Sequence, residues 1–350
     1  MTSDDPGPDQ VERVVIAVLT YRRPVDLQSL LPQLVDQIRS VRSTTRTASI
    51  MIVDNDPDRS AESIVAAAAV EHDDVSIDYK PEPTPGISAA RNRALDAAAA
   101  FDVLVFIDDD ERPTDRWLAL LLEARSRYGA QVVQGPVRSE FEAPLDPWIE
   151  QGGFFARRRM PTGTPLDVAV TNNLLLELEP VRRLRLRFDL ALGTTGGEDT
   201  LFTRVLHRAG VPMVWCNEAF VVDIVPAHRA TRRWVSQRAI STGNSTSLVA
   251  LKLSGTTPAR LATRARLSVR GGARLIGGGL RIGASQIARS EAGKARGART
   301  ALRGFGMTLG ALGFAYHEYS RDGRRITLQT KDPGQSAASM PPQQLVGERS

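Results

Sequence analysis

A chain of 350 residues, 42% hydrophobic and 24% charged, has room for two domains of roughly 100–200 residues each; it is too apolar and too mixed in charge for a disordered or fibrous protein. The single cysteine, Cys216, excludes an internal disulfide and fits a reducing compartment. The net charge of +5 is unevenly spread: residues 251–325 carry 15 Lys and Arg against 3 acids and hold half of the 28 glycines, whereas residues 1–250 are net acidic.

The Asp- and Pro-rich leader, 1–12, leads into an apolar run of only six residues, Val14 to Leu19, so neither a signal peptide nor a spanning helix is expected there. That continuous β-branched run reads as a strand buried on both faces. Leu27, Leu30, Leu31, Leu34, Val35 and Ile38 then recur at helical spacing, and Ile50–Val53 is a second strand. An alanine-rich helix over Ala61–Val70, a short strand over Val75–Tyr79, a loop from Pro81 to Gly86 and a helix over Ile87–Ala100 follow. Val103–Ile107 is a fourth strand, running into Asp108-Asp109-Asp110-Glu111. Alternation of this kind predicts an α/β fold with a mostly parallel open sheet flanked by helices, whose ligands lie beyond the carboxyl ends of the strands. Those ends carry Thr20 and Tyr21, Asp54, and the acidic quartet. No G-x-G-x-x-G follows the first strand, which weakens a dinucleotide-binding reading.

Four adjacent acids repel one another unless a cation neutralises them, so the quartet is either a hard-metal site or a solvated turn. Its place after an apolar strand, in line with the other polar clusters, favours the metal. In Gly196-Gly197-Glu198-Asp199 the acids stand where a helix begins. They either cap that helix or supply a general base for an acceptor hydroxyl.

Taken together, Thr20-Tyr21-x-Arg23-Pro24, Val53-Asp54-Asn55, Pro85-Gly86-Ile87-Ser88-x-Ala90-Arg91-Asn92, Asp108-Asp109-Asp110 and Gly197-Glu198-Asp199 resemble the family-2 glycosyltransferases of GT-A fold. The resemblance spans roughly residues 13 to 245. It implies a catalytic domain over 13–245 that uses a nucleotide-sugar and a divalent metal, Mn2+ or Mg2+, and transfers the sugar with inversion. By the same resemblance Thr20, Tyr21, Arg23, Asp54, Arg91, Asp108, Asp109 and Arg238 bind the nucleotide-sugar, Asp110 and His228 hold the metal, and Asp199, with Glu198 beside it, is catalytic. His228 has a plain surface or structural role as its alternative, and Trp234 is expected to be a packing residue. Asn172 and Asn173 either meet the acceptor or end a turn.

Such chemistry needs few groups. A metal acting as a Lewis acid takes the negative charge of the departing diphosphate, and one base on the opposite face takes the hydroxyl proton. A UDP-sugar is the leading donor, and a saccharide, glycolipid or other lipid-linked molecule the acceptor. The alternatives are a haloacid-dehalogenase-like phosphatase and a catalytically silent nucleotide-sugar-binding scaffold. The phosphatase motif fits poorly, because Asp108 lies on a late strand and Arg112 fills the fifth place.

Residues 246–325 form a basic Gly/Arg-rich helical extension, with a flexible tail over 326–350. Arg266, Arg270 and Arg274 fall on one helical face and Val269, Ala273, Ile276 and Leu280 on another. Its glycines each weaken a helix by about 1 kcal/mol, so a surface is expected to order it. An anionic bilayer met through 264–316, the protein body, or a second copy in a homodimer could be that surface. Nucleic acid is disfavoured, since aromatics are not interleaved with the arginines. The expected location is the cytoplasm, at the inner face of the cell membrane.

Overall fold

The structure, a computed structural model, describes residues 11–318 and 326–328. The expected leader apart from Val11 and Glu12, and the expected tail apart from 326–328, lie outside the described residues. The elements run in chain order as β1 (Glu12–Thr20), α1 (Pro24–Val41), β2 (Arg46–Asp54), α2 (Glu62–Glu71), β3 (Ile77–Pro81), α3 (Ile87–Ala97), β4 (Val103–Asp108) and β5 (Glu111–Pro113). Next come α4 (Trp117–Tyr128), β6 (Val132–Gln134), β7 (Val137–Phe141), α5 (Pro147–Gly152), β8 (Asn173–Glu177), α6 (Leu178–Arg183) and α7 (Glu198–Arg208). The chain continues through β9 (Met213–Trp215), β10 (Val221–Val225), α8 (Arg232–Lys252), α9 (Thr257–Ile287), α10 (Glu291–Leu312), β11 (Phe314–Tyr316) and β12 (Ile326–Leu328).

Seven strands make the main sheet in the order β3-β2-β1-β4-β8-β6-β9. The first four are parallel; β8 runs antiparallel to β4 and β6, and β6 and β9 pair parallel. Successive side chains of a strand point to opposite faces. Accordingly Val14, Ile16 and Val18 enter the core under α1, α2 and α4, while Val15, Ala17 and Leu19 enter the one that includes Ala90 of α3 and Phe202 of α7. Both faces of β1 are therefore dry, which is why its sequence is unbroken in apolar character. Each fully buried Val or Ile side chain among them contributes about 1.5–3 kcal/mol. A second sheet, β5-β10-β7, stands beside the carboxyl end of β4.

The helical extension packs on this body. α10 docks against α5 through Arg296 Nε to the Gln151 carbonyl at 3.0 Å, and Arg299 Nη1 to the Gly153 carbonyl at 2.5 Å. Its glycines permit contact that no larger residue allows. A Cβ on Gly306 would overlap the Ile240 carbonyl oxygen of α8, and one on Gly278 of α9 would stand 2.6 Å from the Gly297 oxygen of α10. The surface that orders the glycine-rich helices thus includes neighbouring helices of the same chain. α8 passes through residues 245 and 246 without a break.

Candidate active site

Register brings the polar strand ends together. Thr20 of β1 lies opposite Asp54 of β2, and Leu19 opposite Asp108 of β4. The Thr20 hydroxyl donates to Asp109 Oδ2 at 2.8 Å. Arg23, just before α1, reaches the same cluster, with Nη1 2.7 Å from both Asp109 Oδ1 and Asp110 Oδ2. From the far side Arg229 Nη1 donates to Asp110 Oδ2 at 3.0 Å. Asp110 is therefore held between two arginines.

The acids remain in surplus. Burial and then Asp110 raise Asp108 to about 7, against the pull of Arg91. Burial raises Asp109 to about 6 despite Arg23. Burial first, with Asp108 adding to it, pushes Glu111 well above the usual carboxylate range. Glu111 caps the turn by accepting from the Asp108 amide at 3.2 Å, and accepts from Asn172 Nδ2 at 3.2 Å on its other oxygen. Asp223 of β10 joins the rim, holding Arg157 Nη2 at 2.9 Å, and Asp110 and Arg229 act on its charge.

The second half of the site comes from α7. Its start needs glycine, since Gly196 and Gly197 have φ of 77° and 93° and a Cβ on Gly197 would stand 2.9 Å from Val249. Glu198 is 5% exposed and pairs with Arg91 of α3, whose guanidinium also lies 5.5 Å from the Phe188 ring. The second Glu198 oxygen, Oε2, is buried without a partner among the described residues, as is Asn172 Oδ1. Asp199 is half-buried, and its Oδ1 accepts from the Thr200 amide at 2.5 Å and the Thr200 hydroxyl at 3.2 Å. Burial works against the charge of Arg91, but Glu198, Asp199 and Asp108 outweigh it and hold its pKa above the ordinary arginine value. Arg91 pairs with Glu198 and also feels the charges of Asp199 and of Asp108 at the end of β4.

Other residues singled out from the sequence sit differently. Asp54 is at its strand end but fully buried, with Oδ1 accepting from the Asp56 amide at 3.0 Å and Oδ2 from the Ala61 amide and Tyr79 hydroxyl at 2.9 and 3.0 Å. It shapes its own loop. Tyr21 is half-buried under the guanidinium of Arg22, which in turn holds Asp56 and Asp58. His228 is exposed, and it is the adjacent Arg229 that reaches Asp110. Arg238 Nη1 pairs with Glu318 at 2.7 Å, joining α8 to the residues after β11. Trp234 stacks on Phe155 with centroids 6.0 Å apart. Asn173 is a structural clasp: it donates to the Pro136 and Ala219 carbonyls at 3.0 and 2.8 Å and accepts from Trp117 Nε1 at 2.9 Å. Sequence reasoning missed Arg229 and Asp223. The signal available was an acid inside the apolar strand Val221–Val225.

The residues fit a hard divalent cation by donor type, since Asp110 offers carboxylate oxygens beside two acids that burial and crowding drive toward neutrality. They do not form a closed cage: among the described residues no three His, Cys, Asp or Glu side chains gather in a metal-holding set. Oxygens of a bound ligand would have to complete the coordination.

Residues 15–184 match the sequence profile of Glycosyl transferase family 2. The chain is also 34% identical over 238 residues to the succinoglycan biosynthesis protein ExoM of Rhizobium meliloti, a match covering 68% of this chain and 75% of ExoM. The chain belongs to glycosyltransferase family 2. Among solved structures, this glycosyltransferase is 14% identical to S. aureus TarS with a TM-score of 0.48, over 72% of this chain and 41% of TarS. It is 12% identical to TarS 1-349 in complex with UDP-GlcNAc, again at 0.48, over 92% of this chain and 97% of that one. GalNAc-T7 with UDP, GalNAc and Mn2+ is 14% identical at 0.48, over 69% of the glycosyltransferase and 48% of GalNAc-T7.

Proposed function

We propose that this glycosyltransferase moves a sugar from a nucleotide-sugar, a UDP-sugar first among the candidates, to a hydroxyl of a saccharide or lipid-linked acceptor, with inversion at the anomeric carbon. The observation that carries the reading is the buried pair of Arg91 with Glu198 at the start of α7, with Asp108 at the end of β4 acting on the same guanidinium. In this reading donor-side and acceptor-side acids serve one site. The ExoM relative is a succinoglycan biosynthesis protein, which supports a saccharide acceptor in polysaccharide biosynthesis.

In this reading Thr20, Tyr21 and the Asp54 loop shape the floor beside the nucleotide, and Asp108 and Asp109 face its ribose and sugar. Asp110 would hold the Mn2+ or Mg2+, whose positive charge would offset that of the departing diphosphate. Arg23 and Arg229 add positive charge at the same edge. Asp199 is the base. Its Oδ1 is tied to Thr200, so Oδ2 is left to take the proton of the acceptor hydroxyl as it attacks. Glu198 holds Arg91 and positions Asp199. Arg238 and His228 lie at the rim.

The reading places the protein in the cytoplasm at the inner face of the cell membrane, touching it through residues 264–316, with a homodimer as its further partner. Among the described residues no helix is long and apolar enough to cross a membrane. A thermal-shift panel of UDP-, GDP-, dTDP- and CDP-sugars, with and without Mn2+, tests the donor, because a ligand that binds only the folded state raises Tm. A rise with a UDP-sugar that grows with Mn2+ is expected; no rise with any of the four sinks the reading.

A further inference from the structure

α9 keeps most of its large apolar residues on the side away from the protein. The face it turns to α10 is made mostly of small residues, with Gly271, Gly278 and Ser285 buried beside Leu267. Its outer face carries Leu261, Val269, Ile276, Leu280 and Ile287, which are 63, 74, 65, 70 and 88% exposed. At 3.6 residues per turn the last four fall within an arc of about 40°, so they form a stripe along the helix.

Arginines flank that stripe. Thr257–Ile287 contains six arginines and no acid. Arg266, Arg270 and Arg281 lie together on one flank and are exposed, and none of the three pairs with an acid among the described residues. The other apolar stretch of the extension, Gly304–Tyr316, is largely packed, with Met307, Ala311, Ala315 and Tyr316 at most 6% exposed, and leaves only the separate side chains of Phe305 and Leu312 open, at 40 and 58%. Within 264–316 the continuous exposed apolar stripe is therefore the outer face of α9.

We propose that α9 lies flat in the interface of an anionic bilayer, with Val269, Ile276, Leu280 and Ile287 among the acyl chains and Arg266, Arg270 and Arg281 on lipid phosphates. The inference deepens the membrane contact in the proposed function and rests on that part of it. Charge decides the occupant. A second copy docked by the same face would bring Arg266, Arg270 and Arg281 toward their own counterparts with no acid on α9 between them, whereas an anionic lipid surface satisfies both the stripe and its flank. The helix lies on the bilayer and does not span it, because no described helix is apolar enough to cross.

The test is flotation of the full-length protein with vesicles of mixed phosphatidylglycerol and phosphatidylcholine, against phosphatidylcholine alone, at low and high salt. The protein should float with the anionic vesicles and detach as salt rises. Ile276→Glu/Leu280→Glu should lower the partition at least about tenfold per side chain, and Arg266→Gln/Arg270→Gln about fivefold per arginine. All four positions face outward, so both variants should keep the wild-type Tm. Wild-type protein that stays at the bottom overturns the proposal, as does undiminished flotation of the Ile276→Glu/Leu280→Glu variant. Light scattering that shows this variant turning a dimer into a monomer also overturns it and gives the face to a second copy. No donor or acceptor enters the assay, so its failure leaves the transferase reading standing, and a failed nucleotide-sugar panel leaves the membrane result standing.

Discussion

Arg91, inside α3, meets the carboxylate of Glu198, the first residue of α7, 107 residues further along the chain and buried with it. Removing one partner of such a pair strands the other charge, which is worse than removing both. Glu198→Gln should therefore lower unfolding free energy by about 3–5 kcal/mol. Arg91→Met/Glu198→Met should recover most of that loss in urea denaturation without recovering transfer. A Glu198→Gln protein as stable as wild type would show that the pair does not hold α7 in place.

Asp108 sets a pH dependence of stability. Its pKa is raised from the ordinary carboxylate value to about 7, chiefly by burial and by Asp110. The folded state therefore binds more protons than the unfolded state between about pH 4 and 7. The stabilisation is complete below the unfolded value and is lost as pH rises through about 7. Asp108→Asn should raise the Tm of the ligand-free protein at pH 8 and change it little near pH 4. A Tm difference that stays constant from pH 4 to 8 would refute the raised value.

Asp110 carries the metal prediction. Asp110→Asn removes the charge that Arg23 and Arg229 hold at 2.7 and 3.0 Å. Calorimetry with UDP should then give the same affinity with and without Mn2+, whereas wild-type protein should bind more tightly with the metal. If the variant keeps the Mn2+ effect, the cation is held elsewhere.

Asp199→Asn separates base catalysis from binding. Loss of a well-placed general base lowers turnover by about 10²–10⁴. The amide keeps the carboxamide oxygen that can accept from Thr200, so the first turn of α7 keeps its contacts and the Kd for the nucleotide-sugar should move little. Wild-type turnover in the variant would leave Asp199 only its favourable charge in the first turn of α7.

The half of the fold that forms the donor side was legible because its signals are local. Val14–Leu19, Ile50–Val53 and Val103–Ile107 are dry on both faces, so each reads as an unbroken apolar run, and the polar residues that end them stand at neighbouring strand tips. What was not legible depends on partners distant in sequence. β8 joins the sheet antiparallel and Asn173 clasps Pro136 and Ala219, contacts with no periodicity to announce them. Arg229 reaches Asp110 only because β10 lies beside β5, and Asp54 is at the expected place with its side chain turned into its own loop. The glycines of 251–325 are the clearest case. Helix propensity counts them as weak points, and the helix packing they permit is invisible to it.

That packing can be tested by two glycines of opposite circumstance. Gly243 lies in α8 where α10 crosses it, and a Cβ there would overlap the carbonyl oxygen of Arg303. Backbone cannot step aside as a flexible side chain can, so Gly243→Ala should separate α8 from α10 and lose about 1–3 kcal/mol, the usual range for overpacking. Gly272 is in α9, with nothing within 4 Å of an added Cβ. There alanine only reduces the freedom of the unfolded chain and improves helix propensity, so Gly272→Ala should gain about 0.5–1 kcal/mol. If both substitutions instead stabilised the protein, the extension would be a set of loosely placed helices. Opposite signs in the same denaturation experiment are expected, because the glycines at the crossings are there for contact and those on the open side are not.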